Sequence, residues 1–202
     1  PHMFESYGDE EIEAVNKCLK KGWLASNGPV SQEFENSVAK LFGKKYALFV
    51  NSGSSANLLG LASLELEPGS EVITPAQTFS TTASPIIQLG LKPVFCDVEL
   101  RTYVPSVDIV KSYITKNTKV IMIPNLIGSK PDWKGLRKLL KDIKREDIIL
   151  FEDSADSITL TLESDISITS FYASHIITAC GTGGMVMFNN KKYYENAYCI
   201  CN

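Results

Sequence analysis

Seven short apolar runs, at residues 46–49, 71–74, 93–96, 120–123, 148–151, 166–171 and 185–188, punctuate the chain from residue 46 onward. Unbroken apolar runs of about four to eight residues predict strands covered on both faces. Between most of them lie longer stretches with helical periodicity, such as 56–66, 107–114 and 133–143. Strands alternating with helices predict parallel crossovers and an α/β architecture. In sheets of this class ligands sit beyond the carboxyl ends of the strands, so the residues that follow each run are the candidates for chemistry.

Ahead of the first run, residues 8–21 combine an acidic start, apolar Ile12, Val15 and Leu19, and a basic end, which predicts an amphipathic helix with charges matched to its dipole. A loop over 22–29 precedes a second predicted helix, 31–42, with Phe34, Val38 and Leu41 on one face, Ser31 as its cap and Gly43 as its stop.

Composition narrows the function. With 44% hydrophobic and 21% charged residues in 202, the chain is an ordinary globular protein, neither disordered nor fibrous. A net charge of -3 offers no footprint for nucleic acid or an anionic membrane, which leaves small molecules or proteins as partners. Cys18, Cys96, Cys180, Cys199 and Cys201 form no CxxC pair, as expected in a reducing cytoplasm. No apolar run approaches the roughly 18 residues that span a bilayer. Pro1-His2-Met3 reads as a cloning scar, so of the two histidines only His175 is left for chemistry.

Asn51-Ser52-Gly53-Ser54-Ser55-Ala56-Asn57 follows the first run. Small residues, two hydroxyls and the free amides of a helix start suit a phosphate, and the same composition also suits a simple capped helix. Phe79, after the second run, could stack on a planar ligand or belong to the core. Phe151-Glu152-Asp153-Ser154-Ala155-Asp156 puts acids directly behind a buried run, where a carboxylate could neutralise a cationic ring nitrogen, bind a metal or cap the next element. Metal is the poorest of these, because no His or Cys stands nearby at ligand spacing. Ser170-Phe171-Tyr172-Ala173-Ser174-His175 and Gly181-Thr182-Gly183-Gly184 flank the last two runs. His175 taken singly fits a structural role as well as a catalytic one.

In this order the motifs resemble the pyridoxal-phosphate-dependent sugar aminotransferase family, DegT/DnrJ/EryC1/StrS, and Gly22-Trp23-Leu24-Ala25-Ser26-Asn27-Gly28-Pro29 with Phe34-Glu35 resembles its N-terminal entry. The resemblance implies a three-layer α/β sandwich with a mainly parallel central sheet, the large domain of the aspartate aminotransferase-like fold, over residues 4–202. It implies that Gly53, Ser54, Ser55 and Ser170 hold the cofactor phosphate, that Phe79 lies against the ring and that Asp153 pairs with the pyridine nitrogen, with Asp156 also in the cofactor site. Where the family's aminotransferases carry their Schiff-base lysine, this chain has His175. That exchange, with the Asp-x-x-Asp spacing of Asp153 and Asp156, resembles the 3-dehydratase branch, which uses pyridoxamine phosphate and a histidine base on nucleotide-linked 4-keto-6-deoxyhexoses.

Two readings stand beside that one: an aminotransferase of the same family, and a non-catalytic relative that binds the cofactor. One dehydratase type holds an iron–sulfur cluster, and Cys199-Ile200-Cys201 resembles its Cys-x-Cys, but Ala155 occupies the first ligand position and argues against a cluster. The stretch 158–163 is short and apolar where the family has a longer Gly-containing loop. The family's chains also continue for roughly as many residues again into a smaller C-terminal domain, and a homodimer is implied by resemblance alone.

Overall fold

The computed structural model describes residues 7–23 and 28–201. The scar reading of residues 1–3 and the part of the entry motif at 24–27 lie outside the described residues. All seven apolar runs form strands: β1 (Tyr46–Val50), β2 (Glu71–Pro75), β3 (Lys92–Cys96), β4 (Thr118–Pro124), β5 (Ile149–Ser154), β6 (Ile166–Ser170) and β7 (Gly184–Phe188). They make one sheet in the order β1-β7-β6-β5-β4-β2-β3.

The helices are α1 (Asp9–Lys21), α2 (Pro29–Leu41), α3 (Gly53–Ala62), α4 (Ser80–Gln88), α5 (Val107–Tyr113), α6 (Trp133–Asp142) and α7 (Lys191–Cys201). α2 starts two residues before its predicted cap because Gly28 is the N-cap and Pro29 fills the first turn, so Ser31 lies inside the helix. Two helices, α4 and α7, have no counterpart among the stretches singled out from periodicity. α4 carries Pro85 in its interior and a run of small hydroxyl residues at its start, and both weaken a helical signature.

Alternation along the strands builds the three layers. In β4, Val120 and Met122 enter the core beneath α3, α4 and α7, whereas Ile121 and Ile123 enter the core beneath α5 and α6. A third cluster, with Val38 and Phe42 of the α2 segment, Ala47 of β1, and Met185 and Met187 of β7, covers the other end of the sheet. β1 is an edge strand, and Glu35 Oε1 accepts its Phe49 N–H at 2.8 Å, which occupies one edge donor. α1 folds with its predicted charges, but Ile12, Val15 and Leu19 are exposed. No helix among the described residues is long and apolar enough to cross a membrane.

β7 breaks the parallel rule. It runs antiparallel to both β1 and β6, whereas the β6–β5, β5–β4, β4–β2 and β2–β3 pairs are parallel. Residues 171–183 form no helix to carry the chain back across the sheet, so β7 returns directly beside β6. Its first residue therefore lies at the carboxyl ends of its neighbours, and Gly184 registers with Val50 on one side and Ser170 on the other. A Cβ at Gly184 would overlap the Ser52 carbonyl and lie 2.5 Å from Gly53 N. We expect Gly184→Ala to lower stability by about 1–3 kcal/mol, the range for overpacked cores, as measured by urea unfolding. A variant as stable as the parent would contradict this packing.

Candidate functional site

The carboxyl ends of β1, β5 and β6 and the start of β7 converge. Ser52 is the N-cap of α3, its Oγ accepting the Ser55 N–H at 3.1 Å, so Gly53, Ser54 and Ser55 form the helix's first turn and the backbone amides of Gly53 and Ser54 stand at its open end. Against this turn lies Ser170: a Cβ on Gly53 would come within 2.9 Å of Ser170 Cβ. Only glycine lets the two meet. A bridge between Ser52 and Gly183, and the Thr182 Oγ1 bond to the Asn51 carbonyl at 2.8 Å, fasten the 171–183 loop to the same place. The four residues predicted to hold phosphate are thus brought together, with hydroxyls and amides and no acid in the first turn.

Asp153 is the penultimate residue of β5 and is 5% exposed. Its Oδ2 accepts from Asn57 Nδ2 and Thr82 Oγ1, both at 2.8 Å, and Oδ1 accepts the Ala155 N–H at 3.2 Å. Burial pushes its pKa up, these donors pull it down, and the charge of Asp156 adds to the rise. Among the described residues no lysine or arginine pairs with it. A buried carboxylate of this kind, held by neutral donors and lacking a counter-cation, fits a protonated ring nitrogen. Phe79 is the N-cap of α4 and is 70% exposed, which excludes the core reading and leaves its ring free for a planar ligand. Of the side chains that hold Asp153, Asn57 closes the 51–57 segment with no separate role legible there, and Thr82 carries no recognisable motif. Thr82 lies in α4, which periodicity did not single out, so its position became visible only in three dimensions.

His175 lies in the 171–183 loop, where its N–H bonds the Tyr172 carbonyl at 2.9 Å and its ring stands edge-on to Tyr172 with centroids 6.2 Å apart. Its Nδ1 is 3.4 Å from Asp156 Oδ1, and Asp156 Oδ2 accepts the Ile127 N–H at 3.4 Å. The two acids of the Asp-x-x-Asp spacing therefore differ in neighbours: one lies under the sheet end, the other beside the histidine.

Glu152, next to Asp153, points to the opposite face of the strand, as alternation requires. Fully buried, it gathers hydroxyl and amide donors: Asn125 Nδ2, Ser154, Thr159 and Thr161 on Oε1, and Ser164 and Ser167 on Oε2. The stretch 157–163 is accordingly inside out, with Thr159 and Thr161 buried against the carboxylate while Leu160 and Leu162 are exposed. Lys44 is buried beside it and donates to the Phe42 and Thr161 carbonyls; burial lowers its pKa, and Glu152 is the largest opposing charge. Asn125 is 1% exposed and committed to this network and to Trp133 Nε1, whose N–H its Oδ1 accepts. Among the described residues no three His, Cys, Asp or Glu side chains gather as a metal site, and Cys199 and Cys201 lie exposed on α7.

The raised pKa of Asp153 gives a sign for pH dependence. A carboxyl that holds its proton more tightly folded than unfolded makes the folded state bind more protons once pH passes 3.8, so ionising it costs stability as pH rises. Without ligand, the stability of Asp153→Asn relative to the parent should therefore move in the variant's favour as pH climbs from 3.8 towards neutrality. Urea unfolding of both proteins across that range measures it, and a difference that stays flat or moves the other way contradicts the uncompensated burial of this group.

The sequence pattern of the DegT/DnrJ/EryC1/StrS aminotransferase family matches residues 5–202. The chain is 33% identical to a GDP-4-keto-6-deoxy-D-mannose 3-dehydratase of Escherichia coli O55:H7, over 99% of this chain and 54% of that protein. It is 39% identical to a dTDP-4-dehydro-2,6-dideoxy-D-glucose 3-dehydratase of Saccharopolyspora spinosa, over 89% of this chain and 41% of that protein. The solved structure of the E. coli GDP-4-keto-6-deoxy-D-mannose-3-dehydratase with bound hydrated PLP superposes with a TM-score of 0.89 at 31% identity, covering 99% of this chain and 54% of that one. The chain thus spans about half the length of the curated relatives it matches. With its reversed β7, its glycine-lined turn after β1 and its buried Asp153, this chain belongs to the DegT/DnrJ/EryC1/StrS aminotransferase family.

Proposed function

We propose that residues 4–202 are the large, cofactor-binding domain of a 3-dehydratase, which removes the C3 hydroxyl of a nucleotide-linked 4-keto-6-deoxyhexose with pyridoxamine phosphate. The observation that carries this reading is His175, at the position where the family's aminotransferases have lysine, with Asp156 at 3.4 Å from its Nδ1. The names of the 3-dehydratase relatives support it.

The residues present fit the cofactor. The first turn of α3 with Ser170 would hold its phosphate, Asp153 its ring nitrogen, and Phe79 one face of the ring. When bound, pyridoxamine phosphate supplies an amine for the sugar's keto carbon and an electron-accepting ring beside it. Asp153, through its negative charge, keeps a proton on the nitrogen it faces. An imidazole cannot form the covalent link that a lysine amine forms, so His175 acts only on protons. With its proton on Nδ1, towards Asp156, Nε2 is left with a free lone pair as the base, and once protonated it can donate to the departing hydroxyl. The same logic appears wherever a carboxylate selects the tautomer of a catalytic histidine. A homodimer belongs to the same reading by resemblance, and a cytoplasmic location by the cysteines, which form no CxxC pair.

The test is the mass of the product when the full chain is given pyridoxamine phosphate and a panel of nucleotide-linked 4-keto-6-deoxyhexoses. A product lighter by one oxygen atom, its C3 hydroxyl replaced by hydrogen, with the cofactor recovered as pyridoxal phosphate and ammonia, is expected, whereas replacement of the keto oxygen by an amine would identify an aminotransferase and overturn the proposal. His175→Asn should lower kcat by about 10²–10⁴, the usual share of a general base. Borohydride added with pyridoxal phosphate should leave no reduced lysine adduct, and a stable one would also overturn the assignment.

A further inference from the structure

Among the buried groups, Glu152 is the one whose contacts exceed what a fold requires. A carboxylate offers about four lone-pair sites, yet six donors converge on it. The donors divide by oxygen, and the division has a pattern. On Oε1 are Ser154, two residues before Asp156, at 3.0 Å, and Thr159 and Thr161, three and five residues after it, at 2.9 and 2.8 Å. On the same oxygen is Asn125 at 2.7 Å, which opens the short turn Leu126–Gly128, and that turn supplies the Ile127 N–H to Asp156 Oδ2. Both chain segments that position Asp156 are therefore tied to one atom. Oε2 takes Ser164 and Ser167, which lie away from this turn.

Ile127 adds a second, independent sign. It stands at φ 50, in the left-handed region, which a β-branched residue rarely adopts, and its side chain is 84% exposed, so packing of that side chain does not explain the conformation. The turn is closed by the Gly128 N–H on the Asn125 carbonyl at 3.3 Å and the Ser129 N–H on the Leu126 carbonyl at 2.9 Å, and within it the Ile127 amide meets Asp156 Oδ2.

We propose that Glu152 is a positioning residue: by bracketing the turn that carries Asp156 it sets the carboxylate against His175 Nδ1 and so selects the tautomer that leaves Nε2 free. This inference rests on the reading of Asp156 and His175 as orienter and base. The Glu152 carboxylate bonds neither the histidine nor any residue assigned to the cofactor, and its effect on the histidine runs through Asp156.

The imidazole can be observed directly, because the chain has one other histidine, His2, whose signals His2→Ala assigns. Long-range proton–nitrogen spectra of the full chain, at a pH where the ring is neutral, report which nitrogen carries the proton. The parent is expected to show the Nδ1–H form, and Asp156→Ala to shift the balance towards Nε2–H. Glu152→Gln and the milder Thr159→Val should shift it in the same direction, and in the loaded enzyme lower kcat by about 10–100-fold with little change in KM, as a misplaced group does. Ser167→Ala, which removes a donor from the other oxygen, should lower thermal stability without moving the tautomer. If Asp156→Ala shifts the balance while folded Thr159→Val and Glu152→Gln leave it at the parent value, the role of Glu152 is overturned and the pair stands. A shift in Ser167→Ala equal to that in Thr159→Val would overturn it too, as general loosening. No shift in Asp156→Ala overturns both the pair and the inference. Should Glu152→Gln fail to fold, Thr159→Val decides.

Discussion

The close approach of β7 to the turn after β1 is the contact on which the site depends. At Gly184 the backbone comes so near the Ser52 carbonyl that no side chain can intervene, and at Gly53 the same is true of Ser170. A cradle for an anion needs amides and hydroxyls from separate strands within one small volume, and backbones approach that closely only where Cβ atoms are missing. The reversed direction of β7 makes the contact possible, because it puts that strand's beginning, and the loop that carries His175, at the carboxyl ends of its neighbours.

Adjacent acids at the end of β5 show how one strand serves two environments. Asp153 faces α3 and α4 and is held by neutral donors, with its charge uncompensated inside the protein; Glu152 faces the other way and is saturated by donors. The first arrangement leaves an electrostatic deficit that a cationic group can relieve. The second leaves none, which is the mark of a fixed point. The two environments differ in this way although both residues are acids following the same apolar run.

Much of the fold was legible because strands buried on both faces leave unbroken apolar runs, and all seven runs became strands. α4 was not legible, because its sequence, with Pro85 and a start rich in small hydroxyl residues, lacks a helix's usual signature and takes that form only in packing beside α3. The start of α2 shifted to Pro29 because a proline in the first turn competes with a serine cap two residues later. The inside-out stretch at 158–163 read as apolar and gave no hint of its role, since the driving force for burying its threonines is a carboxylate seven and nine residues away in sequence.

By itself the sequence determined the α/β class, the order of the motifs and the presence of His175 among them, because these are properties of residue type and spacing along the chain. Only the tertiary structure decided which acid faces α3 and α4 and which the opposite layer, which side chains hold Asp153, and that Asp156 stands beside His175. The reason is physical: strand alternation and strand direction convert neighbours in sequence into opposites in space, and bring together residues that no local pattern connects.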